Sequence, residues 1–212
     1  METQMVIILI VIYCFTAVIL ALDIYFIVRH FKNKKRANTE KALAGSEKNL
    51  LFEEVNKINN FIHNSKFIEG GKYKINKSDF VLSGHIIINS YGLFVLNQIN
   101  DLGNLLEGDF NSREWFLHTD KFKYCINNLF WSLNKNIQDI LPLLPNNLPV
   151  IGVLIFDKVR EFEINNYPGH LAYTHVSDLC NFMYEIKKSL KPILTTQNVE
   201  KIYELLTNKK IN

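Results

Sequence analysis

The sequence predicts a mixed α/β domain behind a single N-terminal membrane-spanning helix. Residues 5–28 form an apolar run with one formal charge, Asp23. Downstream, apolar positions fall in helical and strand-like patterns in the order helix, strands, helix, strand, strand, helix, which is the order expected of one sheet flanked by helices. Hydrophobic residues make up 48% of the chain and charged residues 21%, enough to bury a core.

The apolar run exceeds the roughly 20 residues that a helix needs to cross the hydrocarbon layer. No Lys or Arg precedes it, and it continues past Ala21, so an uncleaved signal-anchor is expected over 1–28. Residues 29–36, "RHFKNKKR", carry five Lys or Arg, whereas the N-terminal flank carries only Glu2. The positive-inside rule then places the N-terminus outside and the C-terminal bulk in the cytoplasm, at the cell membrane. The same cluster can touch anionic lipid heads. Asp23 lies near the inner end, where a carboxylate reaches the interface cheaply. Residues 29–46 are the basic flank and linker, and 47–212 the cytoplasmic domain.

Within that domain, Leu50, Leu51, Val55, Ile58, Phe61 and Ile62 recur at helical spacing, predicting a helix from Glu47 to about Asn64. "KYKIN" (72–76) reads as the first strand. "HIIINSYGLFVL" (85–96) reads as a hairpin turning at Asn89–Gly92, apolar on consecutive positions and so covered on both faces. Residues 103–115 read as a loop or short strand, and 115–124 as a hairpin about Thr119-Asp120. A helix is expected over 127–144, with Leu129, Leu133, Ile137 and Ile140 on one face and Pro142 near its end. "PVIGVLIFD" (149–157) is a buried central strand and "HLAYTHV" (170–176) a further one. Helices are expected over 177–186, starting at Ser177, and over 195–209, capped by Thr195 or Thr196.

The composition excludes several functions. Cys14, Cys125 and Cys180 stand far apart, which gives neither a disulfide framework nor a C-x-x-C metal spacing. A net charge of +3 does not by itself imply nucleic acid. There is no phosphate-binding G-x-x-x-x-G-K-[ST] loop, no H-E-x-x-H and no G-x-S-x-G. The histidines of the domain, His63, His85, His118, His170 and His175, are scattered. His85, opening a buried strand, is expected to be a core or strand-edge histidine. His170 and His175 are an odd number of positions apart and so cannot share one face of a strand.

The second arm of the 85–96 hairpin ends in amides, "NQIN" (97–100), where α/β folds tend to place ligands. Taken together, "GSE" (45–47), "GHIIINSYGLFVL", "NDLGNLLEGDFNSREW", "NNLFWSLNKNIQDI", "PVIGVLIF" and "HVSDLCNFM" resemble the nuclease-related domain, the NERD family. The resemblance covers most of the cytoplasmic part. It implies a restriction-endonuclease-like mixed sheet of the PD-(D/E)XK type, flanked by helices. Gly92–Leu96 match the apolar core of the family's second hairpin strand, and Asn100 the Asn after its lysine. Gly103, Gly108 and Trp115 match the following segment, and Asn127 or Asn128 the Asn of an Asn-Pro pair whose proline is absent here.

The resemblance also implies a carboxylate site: a helix Glu, the Asp of Q-I-D, and the Glu and Lys of E-x-K. Two such acids would hold Mg²⁺, which stabilises charge on a phosphodiester and activates water. The lysine would orient that water or offset developing charge. Carried onto this chain, the helix Glu is Glu47, the Asp is Gly84, the Glu is Asn97 and the Lys is Ile99. Three of the four positions therefore carry no usable group. The expectation is a pseudoenzyme: a membrane-anchored binding or scaffold module, with a link to nucleic-acid processing as one option, that needs no cofactor. The alternative is a tethered Mg²⁺-dependent nuclease in which Asp79, Asp101 or Glu107 has taken over. Candidate phosphate contacts are Lys72 and Lys74, near Lys77, and Lys121 and Lys123 beside Phe122 and Tyr124. Alternating Lys on a strand more often marks a solvated edge that resists aggregation. Beyond the membrane, partners are expected to be nucleic acid or a protein that the sequence does not name.

Overall fold

The computed structural model describes residues 50–75 and 80–211. The apolar segment 5–28, the basic flank, Glu47, Lys77 and Asp79 lie outside the described residues. Among the described residues, no helix is long and apolar enough to cross a membrane.

In chain order the elements are helix α1 (50–61), then strands β1 (Lys66–Ile68), β2 (Gly71–Lys74), β3 (Phe80–Ser83), β4 (His85–Asn89), β5 (Gly92–Ile99), β6 (Gly103–Asp109), β7 (Glu114–His118) and β8 (Lys123–Asn127). Helix α2 (Leu129–Ile140) follows, then β9 (Val150–Phe156), β10 (Val159–Asn165), β11 (Leu171–His175), helices α3 (Leu179–Ser189) and α4 (Thr196–Lys209), and β12 (Lys210–Ile211).

The main sheet has the order β1-β4-β5-β9-β11. Strand β4 runs antiparallel to both β1 and β5, whereas β5, β9 and β11 are mutually parallel. Parallel pairing needs a long crossover, and α2 with its flanking segments supplies it between β5 and β9. Side chains alternate across the sheet. Ile87, Phe94, Leu96, Val153 and Ile155 share a core with Leu51, Val55 and Ile58 of α1 and Leu179 and Met183 of α3. Ile86, Ile88, Leu93, Val95, Leu154 and Phe156 share the opposite core with Leu133 and Ile137 of α2 and Val199 and Ile202 of α4. The sheet is thus covered on both faces, as its unbroken apolar runs require.

Helices α1 and α3 are tied at both ends. The buried Glu54 carboxylate accepts from the Cys180 backbone N–H at 3.2 Å, in the first turn of α3. Its other oxygen pairs with Lys57. A carboxylate there is favoured by the unsatisfied N–H groups of a helix start. One helix length further on, Lys187 donates to the Phe61 carbonyl at 2.7 Å. The two helices therefore run in the same direction, and the first described turn of α1 lies towards the C-terminal ends of the parallel strands.

The expectation of one sheet is corrected, because two smaller sheets stand beside the main one: β10-β6-β7-β8 and β12-β2-β3. Residues 103–115 form the whole of β6 and the start of β7 rather than a loop or short strand. Strand β10, "VREFEIN", was not expected; Val159, Phe162 and Ile164 turn inward while Arg160, Glu161 and Glu163 face out. The 127–144 helix is shorter, with Asn128 as N-cap and a 3₁₀ turn at Leu141–Leu143 holding Pro142. Ser177 does not cap α3; it sits in a 3₁₀ turn, Val176–Asp178. Thr195 caps α4, its hydroxyl accepting from Asn198 N–H.

Candidate functional site at the end of the β4–β5 hairpin

Gly84 is the joint at which the chain leaves the small sheet for the main one: Ser83 pairs with Gly71, and His85 pairs with Leu96. This register sets Gly84 beside Asn97. A Cβ on Gly84 would overlap the Leu96 carbonyl oxygen and the Asn97 Oδ1, closer than real Cβ atoms approach anything. The volume that a side chain at 84 would need is therefore filled by the Asn97 amide and the β5 backbone. Asn97 is half-buried on the α2 side, opposite Leu154, and Asn136 of α2 donates to its Oδ1 at 3.4 Å. Ile99, two residues on and on the same face, lies opposite Phe156 and packs against the α2-side core. Positions 84, 97 and 99 are thus brought to one strand end on one face. Glu47 lies outside the described residues.

The chemistry available there is a neutral amide oxygen, an exposed strand-end backbone and an aliphatic side chain. A hard divalent cation needs several oxygen ligands, mostly anionic, to leave its water shell. Among the described residues, no group of three His, Cys, Asp or Glu side chains stands close enough to hold a metal ion. Of the substitute acids, Asp101 is exposed beyond the end of β5. Glu107 sits on the second sheet, where Lys123 and His118 bind its Oε2 at 2.9 and 2.6 Å. Those two partners, Lys123 first, hold its carboxyl below the usual range. His85 is half-buried, stacked on Phe67 with centroids 5.5 Å apart, and its Nδ1 accepts from Gly70 N–H at 3.1 Å. His170 meets Asn134, whereas His175 packs on Phe162, so these two do not converge.

Gly108, Trp115 and Asn128 meet in one knot beside the second sheet. A Cβ on Gly108 would strike the Trp115 ring, so only glycine lets the indole lie flat on β6. Trp115 Nε1 donates to the Asp109 carbonyl at 2.9 Å. The Asn128 amide nitrogen shares its protons among the carbonyls of Asp109, Phe110 and Ser112, at 3.2, 3.1 and 2.7 Å. Its Oδ1 caps α2 by accepting from Trp131 N–H at 3.1 Å. Of the two asparagines left open by the sequence, Asn128 is buried in this knot and Asn127 is exposed on β8.

The candidate phosphate contacts divide. Lys72 and Lys74 are exposed on one face of β2, and Lys121 is exposed in the β7–β8 turn. Lys123 is committed to Glu107 and lies over the Phe116 ring at 4.2 Å. The face that carries it holds a cleft of about 310 Å³ lined by Glu107, Asp109, Glu114 and Glu163, a field that opposes phosphate. A second cleft, of about 260 Å³, runs between Leu148 and Lys201. Neither reaches Gly84, Asn97 or Ile99.

Two contributors escape sequence reasoning. Asn136 has no signal beyond its helical position. Glu54 is one of several acids on α1, and only the packing of α3 shows which is buried. No family model, curated protein or solved structure gives a significant match to this chain.

Proposed function

We propose that the chain is a membrane-anchored, cytoplasm-facing domain of the nuclease-related kind that has lost its nuclease site and serves as a binding or scaffold module for a protein or nucleic-acid partner. The observation that carries this reading is the convergence of Gly84, Asn97 and Ile99 at one strand end, with the Asn97 amide in the space a carboxylate at 84 would need. Two features support the family placement. The main sheet is an antiparallel run, β1-β4-β5, followed by a helix and a parallel strand, which sets the ends of β4 and β5 side by side. The knot of Gly108, Trp115 and Asn128 gives a shared structural purpose to residues that carry the resemblance. The membrane anchor rests on the apolar run 5–28 and its basic flank.

The alternative, a nuclease with a rearranged site, needs Glu47 joined by Asp79, Asp101 or Glu107. Commitment of Glu107 to Lys123 and His118 on another sheet favours the first reading. Titration of the full chain in detergent micelles with Mn²⁺, followed by electron paramagnetic resonance, tests it. The expected result is the same free-ion signal for the wild type and for Glu47→Ala. A bound-ion site present in the wild type and lost in Glu47→Ala would refute it.

A further inference from the structure

Strand β8 is the outer strand of the second sheet, and among the described residues β7 is its one neighbour. Its residues Lys123, Tyr124, Cys125 and Asn127 are all exposed, and Ile126 is half-buried. The pairing phase tells which of its backbone groups are free. Thr119 N–H bonds Phe122 O, and Asn128 N–H bonds Arg113 O. In an antiparallel ladder, bonded and non-bonded pairs alternate. Tyr124 and Ile126 therefore spend their backbone groups on Leu117 and Trp115, whereas Lys123, Cys125 and Asn127 direct theirs outward.

Edge strands of this kind are usually guarded by an outward-projecting lysine, a proline or a bulge. This one has no proline, and the Lys123 ammonium is folded back over its own sheet onto Glu107 and Phe116. The inner face of β8 is also unfinished. Tyr124 is 49% exposed, and the adjoining Phe122, with ring centroids 6.0 Å apart, is 61% exposed. Tyr124 continues the apolar row of Leu106 and Leu117 past the sheet edge, and Phe122 flanks it at the hairpin turn.

We propose that β8 pairs with β8 of a second copy of this chain, antiparallel about a two-fold axis at Cys125, joining two four-stranded sheets into one. In this register each outward-facing backbone group finds a partner: Cys125 faces the partner's Cys125, and Lys123 faces the partner's Asn127. Tyr124 then lies opposite the partner's Ile126 in a non-bonded pair, where side chains approach most closely. No like charges stand opposite one another, and an aromatic meets a β-branched residue twice by symmetry. A register centred on Tyr124 would still pair Lys123 with the partner's Cys125, but it would leave the outward groups of Asn127 facing the turn at Lys121, beyond the strand. The contact is small for a standard interface, so the association is concentration-dependent.

Crosslinking of the full chain in detergent micelles tests the pairing, with Cys14→Ser and Cys180→Ser leaving Cys125 as the reporter for a short bismaleimide. A covalent dimer through Cys125 is expected. Its yield should fall about ten-fold with Tyr124→Glu, which removes both symmetric apolar pairs. A reporter on the far edge strand, Arg160→Cys with Cys125→Ser, should give no dimer. As a second variant, Cys125→Pro removes an outward N–H without touching the β7 ladder and should sediment as a monomer where the wild type forms dimers. A wild type that stays monomeric, a yield unmoved by Tyr124→Glu, or equal crosslinking from position 160 would overturn the pairing.

Discussion

The Asn97 side-chain oxygen occupies the place of the side chain that Gly84 lacks. The two residues stand on adjacent strands, in register through His85 and Leu96. An acid placed at 84 alone would collide with Asn97 and the β5 backbone and would stand without a second carboxylate to hold a divalent cation.

Gly84→Asp should destabilise the fold by about 1–3 kcal/mol, the cost of overpacking, because the new Cβ meets the β5 backbone as well as Asn97. Adding Asn97→Ala should recover only part of this loss, since the Leu96 carbonyl remains in the way. Urea unfolding of the single and double variants measures both quantities, and an unaffected Gly84→Asp would contradict the packing described.

Asn128→Ala should cost about 2–4 kcal/mol, because it removes a helix cap and strands three carbonyls that the amide serves. Asn127→Ala, on the exposed strand, should stay within about 0.5 kcal/mol. Equal effects in chemical denaturation would count against the knot.

Tyr73 is fully buried, and its hydroxyl has no hydrogen-bond partner among the described residues. Burial pushes the phenol up to about 12 from its ordinary value near 10. A group raised on folding contributes stability that is complete below pH 10 and lost as pH climbs towards 12, here about 3 kcal/mol. Tyr73→Phe should abolish that alkaline loss. At neutral pH it should leave stability unchanged or raise it by up to about 1 kcal/mol, since no bond is broken. Thermal melts from pH 7 to pH 11.5, on the order of the window set by the two values, separate the variants.

Glu107 shows the opposite sign. Its carboxyl is lowered by Lys123 and then by His118, so its contribution is present above the ordinary carboxylate range and fades as pH falls through the lowered value. Lys123→Met should move the Glu107 titration upward more than His118→Ala does, as followed by carboxyl chemical shifts. Added salt should shrink both effects, since the pair faces solvent.

Much of this architecture is written in apolar periodicity. The consecutive apolar runs of β4, β5 and β9 announce a sheet covered on both faces, and the structure buries them so. The spacing of Leu133, Ile137 and Ile140 on α2 is legible too, although Phe130 rather than Leu129 is fully buried in its first turn; for α4, the structure selects Thr195 from the two cap candidates. Strand β10 was hidden because Arg160, Glu161 and Glu163 break up its three apolar residues, Val159, Phe162 and Ile164, and β3 because it is short and joins β4 at a glycine. The strand-end residues 84, 97 and 99 could be listed from the resemblance, but their contact depends on register, which no local pattern encodes. The choice of Asn128 over Asn127 likewise needed the turn at 109–112 to be in place.

Cleavage by the full chain in detergent micelles tests the central claim most directly. Single- and double-stranded DNA and RNA, incubated with Mg²⁺ or Mn²⁺, should yield no products beyond those seen with Glu47→Ala. Metal-dependent cleavage by the wild type that disappears in Glu47→Ala would contradict the loss of the nuclease site.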